Sequence, residues 1–579
     1  MPDLPAIHNV AAIHMGSDPA QEAWMQHFFI ENNIDPLLSP GLVAGPEQLR
    51  FMVDLADDQV YAPCSDELFM QFYKGEHSPA LHKEYADSWR FIETLVGESK
   101  LSSSQRQRVL VLCRYRFEMY LGSRMILPSR LTKRLVGIVL AAMNDPDPLR
   151  EKKRRDNDAM AAILADPVYM SIVEACPALG DAATMADVRF RLDIVELERL
   201  FRMATLRSLW REGISPENFQ VEMETHCKIV DECLHTVFAQ KKGKTQKILY
   251  LPDTSGGIMV DILVVKAFLR QGHTVILVLK DAFYFDAPVI WDMDTDENLK
   301  TATNGMRILD KSTVSKNELL QALRESRLLI ISDGTAEQLN FYRTSITFAR
   351  AWKECDLVIA KGRRNADVLL RTSHAFTRDI LCFWRERSGL FHMQRRPKSE
   401  NIRTFTENDL KTMADNIIAS MRAARNEGKT IMFYSAIIGS IPGQTQVAVK
   451  VVSAFVEHLR NRMDSTYIIN PAEHFEAGLD GDDLMFMWER VQRSGYLDVW
   501  RFQTFDDIEQ SFALMGEPVP SVWIGKDATF STGCTKEMLI AIDVQRSHPE
   551  LQIIGPDAEN FFRRGEYGVG KYFDARIKR

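Results

Sequence analysis

The chain reads as an α/β protein with a helical N-terminal part and two parallel sheets. Three observations predict this. Residues 247–280 have the grammar of strand, loop, helix and strand. Residues 65–245 carry helical periodicity almost throughout, and short apolar runs separated by helical stretches return beyond residue 430. Apolar strands joined by helices make parallel sheets, whose ligands sit beyond the carboxyl ends of the strands.

The 579 residues suffice for two to four domains. With 45% hydrophobic and 26% charged residues, the composition is that of ordinary globular material with a large core. A formal charge of −8 gives no push toward nucleic acid or anionic membrane, so neither is an expected partner. The basic runs Lys152-Lys153-Arg154-Arg155 and Arg395-Arg396 read as solvated surface. The N-terminus lacks the basic head and apolar core of a signal peptide. No apolar stretch approaches the roughly 20 residues of a membrane helix. Eight cysteines without a CxxC pair argue against a zinc ribbon or a disulfide framework, and the expected location is cytoplasmic. His226, Cys227 and Cys233 come closest to a metal cluster, and ordinary helix cysteines are the plainer reading.

In chain order, residues 1–60 are expected to form an arm, with Pro36, Pro40, Gly41, Gly45 and Pro46 between short helical pieces. Residues 61–245 are expected to form a helical subdomain. Ser65 is a candidate N-cap, and the amphipathic stretches are 102–125, 131–143, 159–173, 188–210 and 221–238. Residues 246–396 form the first α/β unit. Its opening strand ends at Pro252-Asp253, and the loop Thr254-Ser255-Gly256-Gly257 leads into a helix with Ile258, Ile262, Val265 and Leu269 on one face. The next strand runs to Leu279. After an acidic, partly looped stretch, 281–316, a strand over 328–332 ends at Asp333-Gly334-Thr335 and one over 357–360 ends at Lys361-Gly362. A linker at 397–407 precedes a C-terminal domain, 408–579, with strands expected near 430–438, 466–470, 498–503, 521–524 and 552–554.

Three strand ends of the first sheet carry groups suited to a phosphorylated ligand. Asp253 is a single carboxylate at a strand tip, a common place for a magnesium ligand because a hard cation prefers oxygen donors. Lys280 ends the next strand, with Asp286, Asp292, Asp294 and Asp296 downstream. Lys361-Gly362-Arg363-Arg364-Asn365 ends a third and opens a helix, where free backbone N–H groups, a lysine and an amide can meet an anion. The plainer alternative makes Asp253 and Asp333 turn residues and Lys361 a surface lysine.

These same residues carry a family resemblance. LYLPDTSGGIMVD followed by VILVLKDAFYFDA resembles the signature of the damage-control phosphatases, a metal-dependent family with acidic-residue methyltransferase-like relatives. CDLVIAKGRRNADVL resembles the family's later Lys-Gly-x-x-Asn motif, and DPDPLREKKRRDNDAMAAIL its Asp-Pro-Tyr-x-x-x-Lys helix. The resemblance spans roughly residues 85–395 and implies a helical subdomain on a Rossmann-like α/β core. It implies a divalent metal (Mg, Mn, Co or Ni) on Asp253, Thr254 and Asp286, with Asp253, Lys361 and Asn365 catalytic. Gly256, Lys280, Asp333 and Gly362 would line the substrate site. The chain departs from the pattern: Thr254 stands where the family has asparagine, Gly257 where it has glutamate, and Asp286 is one place out of register.

The C-terminal domain has its own candidate edge. The strand into Gly439-Ser440-Ile441-Pro442-Gly443-Gln444-Thr445 ends in a loop that can cradle an anion, without the ending of a Walker loop. Lys526, Thr532, Cys534 and Thr535 lie in a second loop, and Glu473-His474 in a third. Ser440, Gly443, Thr445, Lys526, Thr532 and Thr535 would surround a phosphate. Ordinary turn and N-cap chemistry is the plainer reading, and Cys534 as nucleophile lacks a base. The expected function is a metal-dependent phosphatase-like enzyme for a small phosphorylated metabolite, a sugar or cofactor phosphate. The alternative is a non-hydrolytic nucleotide- or sugar-phosphate-binding protein or transferase, its main site in the C-terminal domain. A homo-oligomer is left open.

Overall fold

The computed structural model describes residues 4–567 apart from 35–42, 57, 178–183, 226–227, 240–244, 442–443, 475 and 477. The chain is mixed α/β and divides into two compact units, one running through Glu400 and the other beginning at Asn401.

The first unit is built on a seven-stranded sheet. Its strands are β1 (Lys247–Leu251), β2 (Thr274–Leu279), β3 (Arg307–Leu309), β4 (Leu328–Ser332), β5 (Leu357–Lys361), β6 (Asp379–Arg385) and β7 (Phe391–Arg396). The order is β3-β4-β2-β1-β5-β6-β7, parallel except for the antiparallel β6–β7 hairpin. The unbroken apolar runs have a direct cause, because both faces of the sheet are covered. Ile248, Tyr250, Val275, Leu277, Ile330 and Ile359 enter one core, while Leu249, Leu251, Ile276, Val278, Ile331 and Val358 enter the other. Each fully buried aliphatic side chain contributes roughly 1.5–3 kcal/mol.

The helical segment does not form a separate body beside this sheet. Its first part, through the helix Pro128–Met143, packs with residues of the N-terminal helix Pro19–Asn32 on one face. Its second part covers the other face, through α1 (Arg150–Ala165), α2 (Met185–Thr205) and the helix Lys228–Ala239. The periodic stretch expected to run unbroken over 188–210 is broken. α2 ends at Thr205, Leu206 leaves the helical region at φ −86° and ψ 74°, and the short helix α3 (Arg207–Arg211) turns away. The Thr205 hydroxyl donates back to the carbonyls of Phe201 and Arg202, a bond that bends helix ends.

The chain order makes β1 the switch point. β2 lies on one side of β1 and β5 on the other, so α4 (Gly257–Arg270) and α5 (Arg363–Leu369) start from neighbouring strand ends. In open α/β sheets the crevice at such a reversal is where ligands bind.

The second unit holds β8 (Thr430–Ser435), β9 (Thr466–Ile469), β10 (Val499–Phe502) and β11 (Gln552–Ile554), all parallel in the order β9-β8-β10-β11. Among the described residues its sheet has four strands, not five. Residues Ser521–Trp523, expected as strand, form a 3-10 turn in which only Trp523 is buried. Pro518 and Pro520 explain it, since proline removes ladder donors and restricts the residue before it.

Candidate functional site

The switch point gathers six of the residues singled out from sequence: Asp253, Thr254 and Gly256 after β1, Asp286 beyond β2, and Lys361 and Gly362 at the end of β5. The Ser255 N–H donates to the Asp286 carbonyl at 2.7 Å, which ties the first two loops together. The Gly256 N–H donates to Asn157 Oδ1 of α1 at 2.7 Å. Gly362 sits at φ +95°, and a Cβ there would lie 2.5 Å from Asp253 Oδ2, so only glycine lets β5 approach this carboxylate.

Lys361 is the best-held charge in the cluster. Its side chain is fully buried and pairs with Asp261, one turn into α4, and with Asp253 Oδ1 at 3.2 Å. Its Nζ also donates to the Ala204 carbonyl, at the end of α2, at 3.5 Å. Asp261 accepts from the Tyr250 hydroxyl at 2.7 Å. Burial pushes the Asp261 carboxyl up to about 6, against the opposing pull of Lys361. Lys361 therefore meets a ligand only through Asp253, which it positions. The Asn365 amide donates to the Lys361 carbonyl at 2.9 Å and fixes the first turn of α5.

Two arginines complete the cluster, and sequence reasoning missed both. Arg207 and Arg211 sit four apart on α3, so the break at Leu206 turns them toward the strand ends. Arg211 Nη2 lies 2.8 Å from both Asp156 and Asp286. Arg207 is looser: its Nη2 is 3.8 Å from Asp253 and its Nη1 3.8 Å from Asp286, and its side chain is 46% exposed. Burial raises the Asp286 carboxyl, but Arg207, Arg211 and Arg364 outweigh it and hold Asp286 below its ordinary range. Arg364 in turn stacks on Phe285 at 3.9 Å and fixes the Asp286 loop. The i, i+4 pair of arginines in RSLWR was the signal available in the sequence.

The donors do not fit a divalent ion. Both carboxylates already face guanidinium groups, and Asp253 also faces Lys361. The buried Thr254 hydroxyl donates to Asp253 Oδ1 at 3.2 Å. At Gly257 a Cβ would lie 2.7 Å from both Lys361 Nζ and the Ala204 carbonyl, so no glutamate fits there. Among the described residues, no group of three or more His, Cys, Asp and Glu could hold a metal. A dication between Asp253 and Asp286 would displace Arg207 and face Arg211 and Lys361. Repulsion between unit charges at 4 Å is on the order of 4 kcal/mol in such a setting.

The other acidic candidates have structural partners. Asp292 pairs with the buried Lys153 at 2.8 Å, and Lys153 also pairs with Asp147 at 2.5 Å. Asp296 accepts from Asn157 Nδ2 at 2.9 Å and caps the helix Glu297–Ala302; Asp294 is exposed. Lys280 forms a closed cluster, its Nζ 2.6 Å from Asp333, 3.1 Å from Thr335 Oγ1 and 2.6 Å from the Glu337 carbonyl. Of the cysteine–histidine trio, His226 and Cys227 lie outside the described residues.

In the second unit two of the three expected loops meet. Ser440 Oγ donates to Ser531 Oγ at 3.0 Å, and Ser531 caps α7 (Thr532–Ser547). Thr535 bonds back to the Ser531 carbonyl, Thr532 is exposed, and Lys526 Nζ stacks over Phe530 at 3.6 Å. Thr445 opens α6 (Thr445–Arg460), whose N-cap Gln444 accepts from Trp523 Nε1; Gly443 lies outside the described residues. Arg460 holds Glu473 at 2.6 Å, and burial lowers His474. Burial pushes the Cys534 thiol well up, so it stays protonated, which removes it as a nucleophile. A buried acid that sequence reasoning missed lies beside it. Glu537 accepts from Gln492 Nε2 at 3.0 Å, and burial pushes it up to about 7.

Comparison with known proteins bears out the resemblance for the middle region. Residues 208–400 match the family model of the damage-control phosphatase ARMT1-like domain. The match begins one residue after Arg207 and takes in Asp253, Asp286 and Lys361. Among solved structures, a DUF89 family protein from Pyrococcus horikoshii is similar, at 16% identity and a TM-score of 0.36. That likeness covers 52% of this chain and 90% of that one and places no residue. No match was found among curated proteins. Among the described residues, no helix is long and apolar enough to cross a membrane.

Proposed function

We propose that the phosphatase-like region binds the phosphoryl group of a small phosphorylated metabolite at the β1–β5 switch point and hydrolyses it. One observation carries the reading. A partly exposed carboxylate, Asp253, is fixed by the buried Lys361 beside the half-exposed Arg207 and at the start of α4, which no side chain caps. A helix N-terminus and a guanidinium both favour phosphate oxygens. Asp253 orients the attacking water and takes its proton as the water oxygen bonds to phosphorus and the ester P–O bond breaks, the leaving oxygen taking a proton from solvent. Lys361 keeps that carboxylate in place, and Arg207 offsets charge on the phosphoryl group. A bound divalent ion would supply Lewis-acid polarisation in relatives of this kind, but the residues here do not fit one, and no step uses it.

The test is phosphate release from a panel of sugar and cofactor phosphates, with Mg, Mn, Co or Ni and with chelator. At least one substrate should turn over, and Asp253→Asn should lower kcat by about 10²–10⁴. No release from any member, or release indifferent to Asp253→Asn, contradicts the reading.

The second reading is binding without hydrolysis, by the switch point or by the second unit's Ser440–Ser531 edge. The complete burial of Lys361 favours it, since an ammonium closed off beside Asp261 is not exposed to meet a phosphoryl group. It predicts a retained ligand and no phosphate release.

A further inference from the structure

We infer that the switch-point site takes an oxyanion without a divalent metal, with the Arg207 guanidinium standing where the resemblance places the cation. The inference rests on the proposed phosphoryl site and deepens it. Three independent features point the same way. The first is the pose of Arg207, loosely placed at 3.8 Å from both Asp253 and Asp286, while Arg211 is closed on Asp156 and Asp286 at 2.8 Å. An exposed guanidinium that binds neither carboxylate tightly is free to turn its fork toward a phosphate.

The second feature is a pair of unanswered polar groups. Trp210 Nε1 and Ser255 Oγ are buried, and among the described residues neither has a hydrogen-bond partner. Ser255 belongs to the β1–α4 loop, and Trp210 packs on the next residue of that loop. A Cβ on Gly256 would lie 2.4 Å from Trp210 Nε1, so the indole lies directly against that glycine. Buried donors normally have partners, and an anion oxygen would supply one once the indole shifts off Gly256. The third feature is the α4 N-terminus. Its N-cap is Gly256 at φ +74°, which offers no side-chain cap. The Ile258 and Met259 N–H groups donate to the Thr254 and Gly256 carbonyls, so the Gly257 N–H at the very start of the helix is the group left for a ligand oxygen.

The substitutions at the metal positions then make sense together. Thr254 spends its hydroxyl on Asp253, and Gly257 leaves room for Lys361 beside α4. The positive charge needed to neutralise a phosphoryl group comes from the protein itself, through Arg207 and the indirect support of Arg211 and Lys361.

The test uses the full-length chain and inorganic phosphate as probe. Metal content after dialysis is read by elemental analysis, and phosphate binding by calorimetry with chelator and with Mg, Mn, Co or Ni. The expected result is little bound metal, phosphate binding unchanged by chelator, and a loss of about tenfold or more in Arg207→Ala. Arg207→Lys should recover part of that loss. Asp253→Asn should keep phosphate binding or tighten it, because it removes a repelling charge. Near-stoichiometric metal together with phosphate binding that disappears in chelator would overturn the inference while leaving the phosphoryl site standing. Absence of phosphate binding under every condition overturns both. Metal-independent binding with no turnover of any phosphorylated substrate sustains the inference and removes only the hydrolytic reading.

Discussion

Replacing Lys361 by methionine probes the centre of the site. The side chain has no exposed surface and is the cation beside Asp261, which lies equally buried at the start of α4. Removing it leaves the Asp261 carboxylate with the Tyr250 hydroxyl as its remaining donor, at 2.7 Å. Breaking a buried pair by deleting one partner typically costs 3–5 kcal/mol, so a loss of about 4 kcal/mol is expected. The loss should depend on pH. Asp261 already sits at about 6 instead of 3.8, so its folded form holds a proton that the unfolded chain gives up. The stability from that proton is full below the ordinary value and is lost as pH rises through about 6. Without Lys361 the carboxyl moves higher still, and Lys361→Met should be worst near pH 8 and milder near pH 5. Urea unfolding at both values, followed by hydrogen exchange of α4 amides, reads the effect locally. Adding Asp261→Asn should restore most of the stability, because the buried charge is gone, and should not restore activity, because Asp253 has lost its positioning contact. A single variant within about 1 kcal/mol of the parent at pH 8 would refute the reasoning.

Other outcomes follow from the same geometry. Gly257→Glu, which restores the family residue, should unfold the switch point instead of improving it, since its Cβ would lie 2.7 Å from Lys361 Nζ and the Ala204 carbonyl; expression and thermal unfolding check this. Glu537→Gln should stabilise the second unit at high pH. The folded value of about 7 against 4.5 means a contribution complete below 4.5 and lost as pH rises through about 7. The gain at pH 8 is on the order of 3 kcal/mol, with a flat pH profile for the variant; hydrogen exchange of β8 and α7 at pH 5 and 8 measures it.

The parallel sheets were legible because their strands are short apolar runs that end in turn residues: 247–251 at Pro252-Asp253, 328–332 at Asp333-Gly334 and 357–361 at Gly362. The β6–β7 hairpin escaped because DILCFWRERSGLFHMQRR alternates poorly and is crowded with arginines. Residues 521–524 misled in the opposite direction, as apolar character outweighed the two prolines just before them, Pro518 and Pro520. At the site, Asp253 and Lys361 were readable from their places at strand ends and Asp286 from the family resemblance, counted from Lys280. The convergence of the three follows from strand order. The arginines were not readable, because the bend at Leu206 involves no proline or glycine and arises from tertiary packing and the Thr205 back-bond. Nor did the sequence disclose that Lys361 would be buried, since nothing local pairs it with Asp261, 100 residues away.

The central claim is that the switch point of the first sheet is where a phosphoryl group binds. Hydrogen exchange of the full chain with and without inorganic phosphate tests it most directly. The account predicts slowed exchange over 253–259 and 207–211, with residues 435–445 and 526–535 unchanged. Protection confined to 435–445 and 526–535 would contradict it and move the ligand to the second unit.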